Sequence, residues 1–249
     1  MTFLPVTGSL LQQYRRNVFL LFLLVTVPFI FITLSYYNTV DEPLAFFVTD
    51  SGDRVQRIES MKDVHAAIMV PITVAFLAGI IGLFVMVEAI RNDARLTVAG
   101  LQLGFVATAR LLIVLILTAV ITVVSIAVTL VNFQPGDLPG FIAGNFLIGT
   151  TYAFIGAIAA LIVGRLGGAY LMFFLPMIDV GIFQDPMFVS GDQALWMKLL
   201  PGFGATRMVL DAGFTGSMDD GTALVAAVAW ATGLGIVAVA LFMTRRSSG

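Results

Sequence analysis

Long apolar runs alternate with short polar segments along the whole chain, and that alternation predicts its elements. From Asn17 to Tyr36 there is no charge, a run of about twenty residues, enough to cross a hydrocarbon core of about 30 Å at 1.5 Å per residue. Residues 17–36 therefore read as a first membrane span, kinked at Pro28, where a helix hydrogen bond is lost. Similar runs at 66–90, 111–131, 141–163 and 223–243 predict four more. Another at 169–183 covers only about 22 Å and contains Pro176 and Asp179, less than a full crossing requires.

The polar segments carry their own signals. In residues 1–16, Ser9 and Gln12 have capping-box spacing, and Leu10, Leu11, Tyr14 and Val18 share a face, which predicts an amphipathic helix lying in the membrane interface. Residues 37–65 read as a solvated acidic loop with a short helix near its end, and His65 as an interfacial polar residue where the second span begins. GRLGG at 164–168 reads as a tight turn. Residues 194–214, ALWMKLLPGFGATRMVLDAGF, are too apolar for an ordinary loop yet are broken by Pro201, Gly202 and Gly204. Two short re-entrant helices within an outer region at 184–222 account for that pattern, provided protein shelters their non-helical backbone. Small residues at four-residue spacing, Ala75, Ala78, Gly79 and Gly82, with Gly140 and Gly144, and Ala227, Ala231 and Gly235, mark faces for close helix packing. The fold class that follows is an all-α integral membrane protein of six transmembrane helices in one domain.

Composition agrees. Hydrophobic residues make up 59% of the 249 and charged residues 11%, where a soluble domain carries about a quarter charged. The net charge of -2 says little about partners, and nucleic acid is not among those expected, but the placement of charge is informative. With six spans, one side of the membrane receives Arg15, Arg16, Arg91, Arg95, Arg110, Arg165, Arg245 and Arg246 against only Glu88 and Asp93. By the positive-inside rule that side, with both termini, is cytoplasmic, and the protein is a multi-pass protein of the cell membrane.

Several chemistries lack their residues. There is no cysteine, and His65 is the single histidine, so no zinc site is expected. Neither lysine, Lys62 or Lys198, follows a glycine, so no P-loop is present. The span centres are uncharged, whereas an ion-coupled carrier buries ionisable groups at mid-membrane. Asp179 is the nearest exception, and the shortness of its run makes it a water-facing residue near the outer surface. No catalytic residue, metal site or cofactor is expected in the chain.

Three stretches carry a family resemblance. LLQQYRRNVFLLFLLVTVPFIF, VEAIRNDARLTVAGLQLGFVATARLL and KLLPGFGATRMVLDAGF resemble, in that order, the interfacial helix and first span, the coupling segment, and the re-entrant region of the membrane subunits of type-2 ATP-binding-cassette exporters. The loop departs from the family's commoner Glu-Arg and Gly-Thr, having Asp93-Ala94-Arg95-Leu96-Thr97, and the usual later proline is absent near Gly104. The resemblance implies a permease paired with a second copy or paralogue and with a separate ATPase subunit that binds ATP and Mg. It also implies that the 91–110 loop is the cytoplasmic coupling element. Glu88, Arg91, Asp93 and Arg95 would be its charged contacts and Leu96, Leu101 and Leu103 its apolar ones. Pro201, Gly202 and Arg207 would belong to the outer re-entrant region, and the cargo would be a drug, lipid or other amphipathic compound. An ion-coupled secondary carrier and a non-transporting structural subunit are the alternatives.

Overall fold

The computed structural model describes residues 18–92, 103–189, 191 and 193–247. Its elements, in chain order, are α1 (Val18–Asn38), β1 (Pro43–Asp50), β2 (Asp53–Ser60), α2 (Met61–Asn92), α3 (Leu103–Thr129), α4 (Leu138–Ile162), α5 (Gly164–Ile178) with a π-helical turn Asp179–Phe183, α6 (Leu195–Lys198), α7 (Phe203–Phe214) and α8 (Gly221–Ser247). The chain is mostly helical, and among the described residues five helices are long and apolar enough to cross a membrane: Met61–Ile90, Val106–Thr129, Leu138–Ile162, Gly164–Phe183 and Gly221–Thr244. In α1 the apolar stretch Phe22–Asn38 is shorter than these.

Helix α4 is the centre of the bundle, packing against α2 most extensively and also against α3, α5, α7 and α8. Between α2 and α4 the backbones touch. A Cβ added to Gly82 would overlap the Ala153 carbonyl, and one added to Gly156 would overlap the Gly79 carbonyl. In lipid there is no water to expel from between helices, so such close approach, with its dense van der Waals contact, is a main source of association. The Gly140 and Gly144 pair serves α7 in the same way, facing Ala212, Val209 and the Ala205 carbonyl. Ala227 and Ala231 of α8 are buried, and Gly235 meets the Phe154 ring.

The structure departs from the sequence reading at four places. Residues 43–60 form a β-hairpin rather than a loop with a short helix; its two-residue turn places Ser51 at φ 54° and Gly52 at φ 85°, the geometry favoured between twisted antiparallel strands. Phe46 and Val48 are buried on one face of β1 while β2 is largely exposed, so the hairpin is a lid with one apolar side. Second, the predicted loop at 91–110 is shorter, because α2 runs to Asn92 and α3 begins at Leu103, and Arg110 is a buried helix residue. Third, GRLGG is the first turn of α5, the reversal from α4 being made at Gly164 with φ 75°, so the short span becomes the twenty-residue Gly164–Phe183. Fourth, α2 begins at Met61, ahead of the predicted 66, because the Met61 N–H bonds to the Glu42 carbonyl at the hairpin base. The expected interfacial helix at 1–16 lies outside the described residues.

The bundle has two unlike ends. At the hairpin end are the last turn of α1, where Tyr37 contacts Asn132 after α3, the start of α4 bonded to the end of α7, and the start of α8. At the other, arginine end, Leu83 and Met86 of α2 cluster with Ala107 and Leu111 of α3, Leu161 of α4 and Phe242 of α8. The Arg165 guanidinium lies there 5.3 Å from the Phe84 ring centroid.

Replacing Gly82 or Gly156 by Ala is expected to destabilise the detergent-solubilised protein by about 1–3 kcal/mol or more through overpacking. Gly233→Ala, where a Cβ meets nothing within 4 Å, should be neutral. Equal unfolding midpoints for all three variants would contradict the close seam.

Candidate functional site

Asp179 sits where three elements meet. Pro176 deprives α5 of a backbone donor, and the helix widens into the π-helical turn immediately afterwards, so Asp179 faces inward rather than toward water. It is 2% exposed, which corrects its reading as a water-facing residue. Tyr152 Oη of α4 donates to Asp179 Oδ2 at 2.5 Å, the Gly202 N–H donates to the same oxygen at 2.8 Å, and Gln184 Nε2 donates to Oδ1 at 3.2 Å. Gln184 is held in turn by Gln193, whose Nε2 donates to Gln184 Oε1 at 2.8 Å. The Asp179 carboxylate thus ties α4, the end of α5 and the entry to α7 together.

That tie explains the predicted re-entrant residues. Pro201 and Gly202 form the turn between α6 and α7, and Gly202 is there because a side chain would meet the Asp179 carboxylate within 3.0 Å. The two short helices expected in this region are α6 and α7. The latter is largely buried, with Gly204 against the Ala223 carbonyl and the backbone nitrogen of Ala227 in α8. Protein shelters α7 as the apolar composition required, whereas α6 has no buried residue and leaves Leu195 and Trp196 exposed.

Arg207 on α7 belongs to a second polar node, which docks the hairpin. The Thr49 N–H donates to Asp211 Oδ1 at 2.9 Å, and the Ser51 N–H to Asp219 Oδ2 at 2.9 Å. Burial pushes the Asp211 carboxyl up to about 6, while the Thr49 bond and nearby Arg207 oppose the rise and Asp220 adds to it. Asp220 caps α8 through the Thr222 and Ala223 N–H groups. Phe46 meets Phe214 edge-on at 5.0 Å beneath this node.

Between α1, α2 and α5 lies a pocket of about 640 Å³, its wall mostly apolar and including Phe31, Met69, Phe76, Phe173 and Met177. His65 and Asp185 line it as well, and so does Thr73. His65 therefore does more than mark the boundary of the span: its Nδ1 lies 3.0 Å from the Met187 sulfur. Asp185 is 1% exposed; its Oδ1 accepts the Met187 N–H at 2.8 Å, and its Oδ2 has no hydrogen-bond partner among the described residues. Burial raises this carboxyl to about 6, with the Met187 bond opposing the rise. Asp185 carries no motif, and nothing in the sequence distinguished it from the other acids of the outer region.

The predicted coupling residues divide. Glu88 is half-buried near the end of α2, Arg91 lies in the last turn of that helix, and Leu103 is the first residue of α3. Asp93, Arg95, Leu96 and Leu101 lie outside the described residues. No group of three or more His, Cys, Asp or Glu among the described residues could hold a metal ion.

Tyr152→Phe removes one buried hydrogen bond to the Asp179 carboxyl group and should lower stability by about 1–3 kcal/mol. Tyr170→Phe, at a ring 63% exposed, should not; equal thermal midpoints for the two would break the assignment. For Asp211, the folded value lies above the ordinary 3.8, so the folded chain binds the proton more readily. Its contribution to stability is greatest below about 4, declines through about 6 and is level above that. The unfolding free energy of the parent minus that of Asp211→Asn should fall across this window by on the order of 1–3 kcal/mol. A difference that stays constant from pH 4 to 7 would remove Asp211 from the linkage.

Comparison of the chain with family models, with curated proteins and with solved structures finds no match.

Proposed function

We propose that this chain is the membrane-spanning permease subunit of an ATP-driven exporter. In this reading α1 is a sixth span, and the bundle stands in the cell membrane with the arginine end and both termini in the cytoplasm. Two permease chains, identical or related, enclose the path of an amphipathic cargo. A separate ATP-binding-cassette ATPase, carrying ATP and Mg, docks beneath each.

The observation that carries the proposal is the charged segment joining α2 to α3. Glu88, Arg91, Asp93, Arg95 and Arg110 interrupt two of the most apolar helices of the chain. The flanking helices α2 and α3 pack against each other, and α2 is the main neighbour of the central helix α4. A force applied where α2 and α3 are joined is therefore delivered to the bundle's centre, because packed helices transmit displacement rather than absorb it. The opposite end is occupied by the hairpin, α6 and α7, which leaves the arginine end as the one suited to a cytoplasmic motor. The resemblance of the loop and of KLLPGFGATRMVLDAGF to the corresponding family segments supports the same assignment.

An ion-coupled carrier is the second reading, favoured by one observation, the burial of Asp179 in an apolar helix. Against it, both oxygens of that carboxylate already accept from protein donors, leaving a coupling ion to displace bonds that hold α4 to α7.

Arg95→Glu should leave the chain folded and inserted while abolishing most of the cargo-stimulated ATP hydrolysis by the co-purified ATPase. Stimulation equal to that of the parent would remove Arg95 from the contact. Transport by the chain alone against a proton or sodium gradient, without nucleotide, would replace the proposal with the carrier.

A further inference from the structure

The pocket between α1, α2 and α5 has a chemical polarity that its apolar wall conceals. Of the described residues that line it only His65 and Asp185 are ionisable, and no lysine or arginine is among them. A thioether sulfur accepts but has no proton to donate. The 3.0 Å contact of His65 with Met187 is therefore a hydrogen bond in the tautomer that carries its proton on Nδ1, and that tautomer leaves Nε2 as an acceptor. Asp185 contributes a carboxylate whose Oδ2 is buried without a partner. Thr73 Oγ1, on the same wall, also has none among the described residues.

Buried polar atoms are ordinarily paired, and an unpaired carboxylate oxygen in apolar surroundings is costly. A ligand that supplies hydrogen-bond donors and positive charge relieves that cost. One that brings a second anion, such as a fatty acid or an acidic phospholipid, worsens it. The rest of the wall, with Phe31, Phe76, Phe173, Phe174 and Met177, suits a hydrocarbon or aromatic body. Aromatic faces also tolerate an adjacent cation. Phe173 and Met177 are 52% and 57% exposed, so the apolar part of the pocket is open along the bundle's flank, while the Asp185 carboxylate is enclosed.

We propose that this pocket binds protonated lipophilic amines, the ammonium group taken by Asp185 and His65 and the apolar body lying along α2 and α5. This assigns a class to the amphipathic cargo and rests on the transport reading only for the word cargo. Binding needs neither ATP nor a partner, so its failure leaves the coupling of α2 and α3 untouched, and a failure of coupling leaves the pocket untouched.

The test uses the full chain in zwitterionic phosphatidylcholine nanodiscs and a dodecylamine bearing a diazirine in its chain. Photolabel is expected on the peptides that contain Met69 to Phe76 and Phe173 to Met177. Unlabelled dodecylamine should displace it about tenfold or more effectively than lauric acid, the difference a charge-assisted hydrogen bond makes. Asp185→Asn should lose that preference while still running as a folded species on size exclusion. Equal competition by amine and acid in the parent would reduce the pocket to an indifferent hydrocarbon slot and overturn the proposal, whether or not the variant folds. Label confined to other peptides, or an amine preference that survives in folded Asp185→Asn, would overturn it as well.

Discussion

The contact of α2 with α4 is the constraint on which the remaining architecture depends. Glycines at 82 and 156 bring the two backbones together so closely that a methyl group fits at neither without displacing the facing backbone, while one at Gly79 would meet the Met172 side chain of α5. Because lipid is as apolar as the side chains, the bundle gains little from burying leucine against leucine, and cohesion comes from dense packing and from polar bonds. With α2 and α4 joined, α3, α5, α7 and α8 each find a face of one or both, and α1 packs outside against α2 and α3.

Polar bonds then fix what close packing leaves undetermined. Asp179 and Asp211 are both buried acids, and each joins elements distant in sequence: the first holds the end of α5 to α4 and to the turn before α7, the second holds β1 to α7. Neither is satisfied by its own helix alone. An acid in that position makes a discrete joint, because the bond is either made with its partner or lost at considerable cost. The hairpin end is consequently a braced cap, with Phe46, Val48, Val64, Ile68 and Leu210 forming its apolar underside. The arginine end has an apolar cluster of its own around Leu83, Met86, Leu111 and Phe242.

This asymmetry bears directly on function. Under the proposed permease function, a bundle worked from one side needs a stiff far end against which displacement of the near helices has effect. Helices α2 and α5 border the pocket lined by His65 and Asp185 and extend to the arginine end, where Arg165 and Phe84 meet. Movement transmitted along α2 would alter the shape of that pocket without passing through the hairpin.

Much of this was legible in residue order. Hydrophobic run length established the long helices, since the thickness of hydrocarbon sets a minimum of about twenty apolar residues irrespective of partners. Gly140 with Gly144, and Ala227 with Ala231, announced packing faces, and the broken apolar stretch at 194–214 announced two short helices, of which only α7 is buried. The Ser51-Gly52 step between Leu44–Thr49 and Val55–Ile58 was a hairpin signal in the same sense, obscured by the surrounding acids. What run length could not supply was the environment of individual polar residues. Asp179 in an apolar run appears identical whether it faces water or a tyrosine 27 positions earlier in the chain, and Asp185 appears identical whether solvated or enclosed beside His65. Those outcomes depend on which helices become neighbours, a property of three-dimensional packing that local periodicity does not encode.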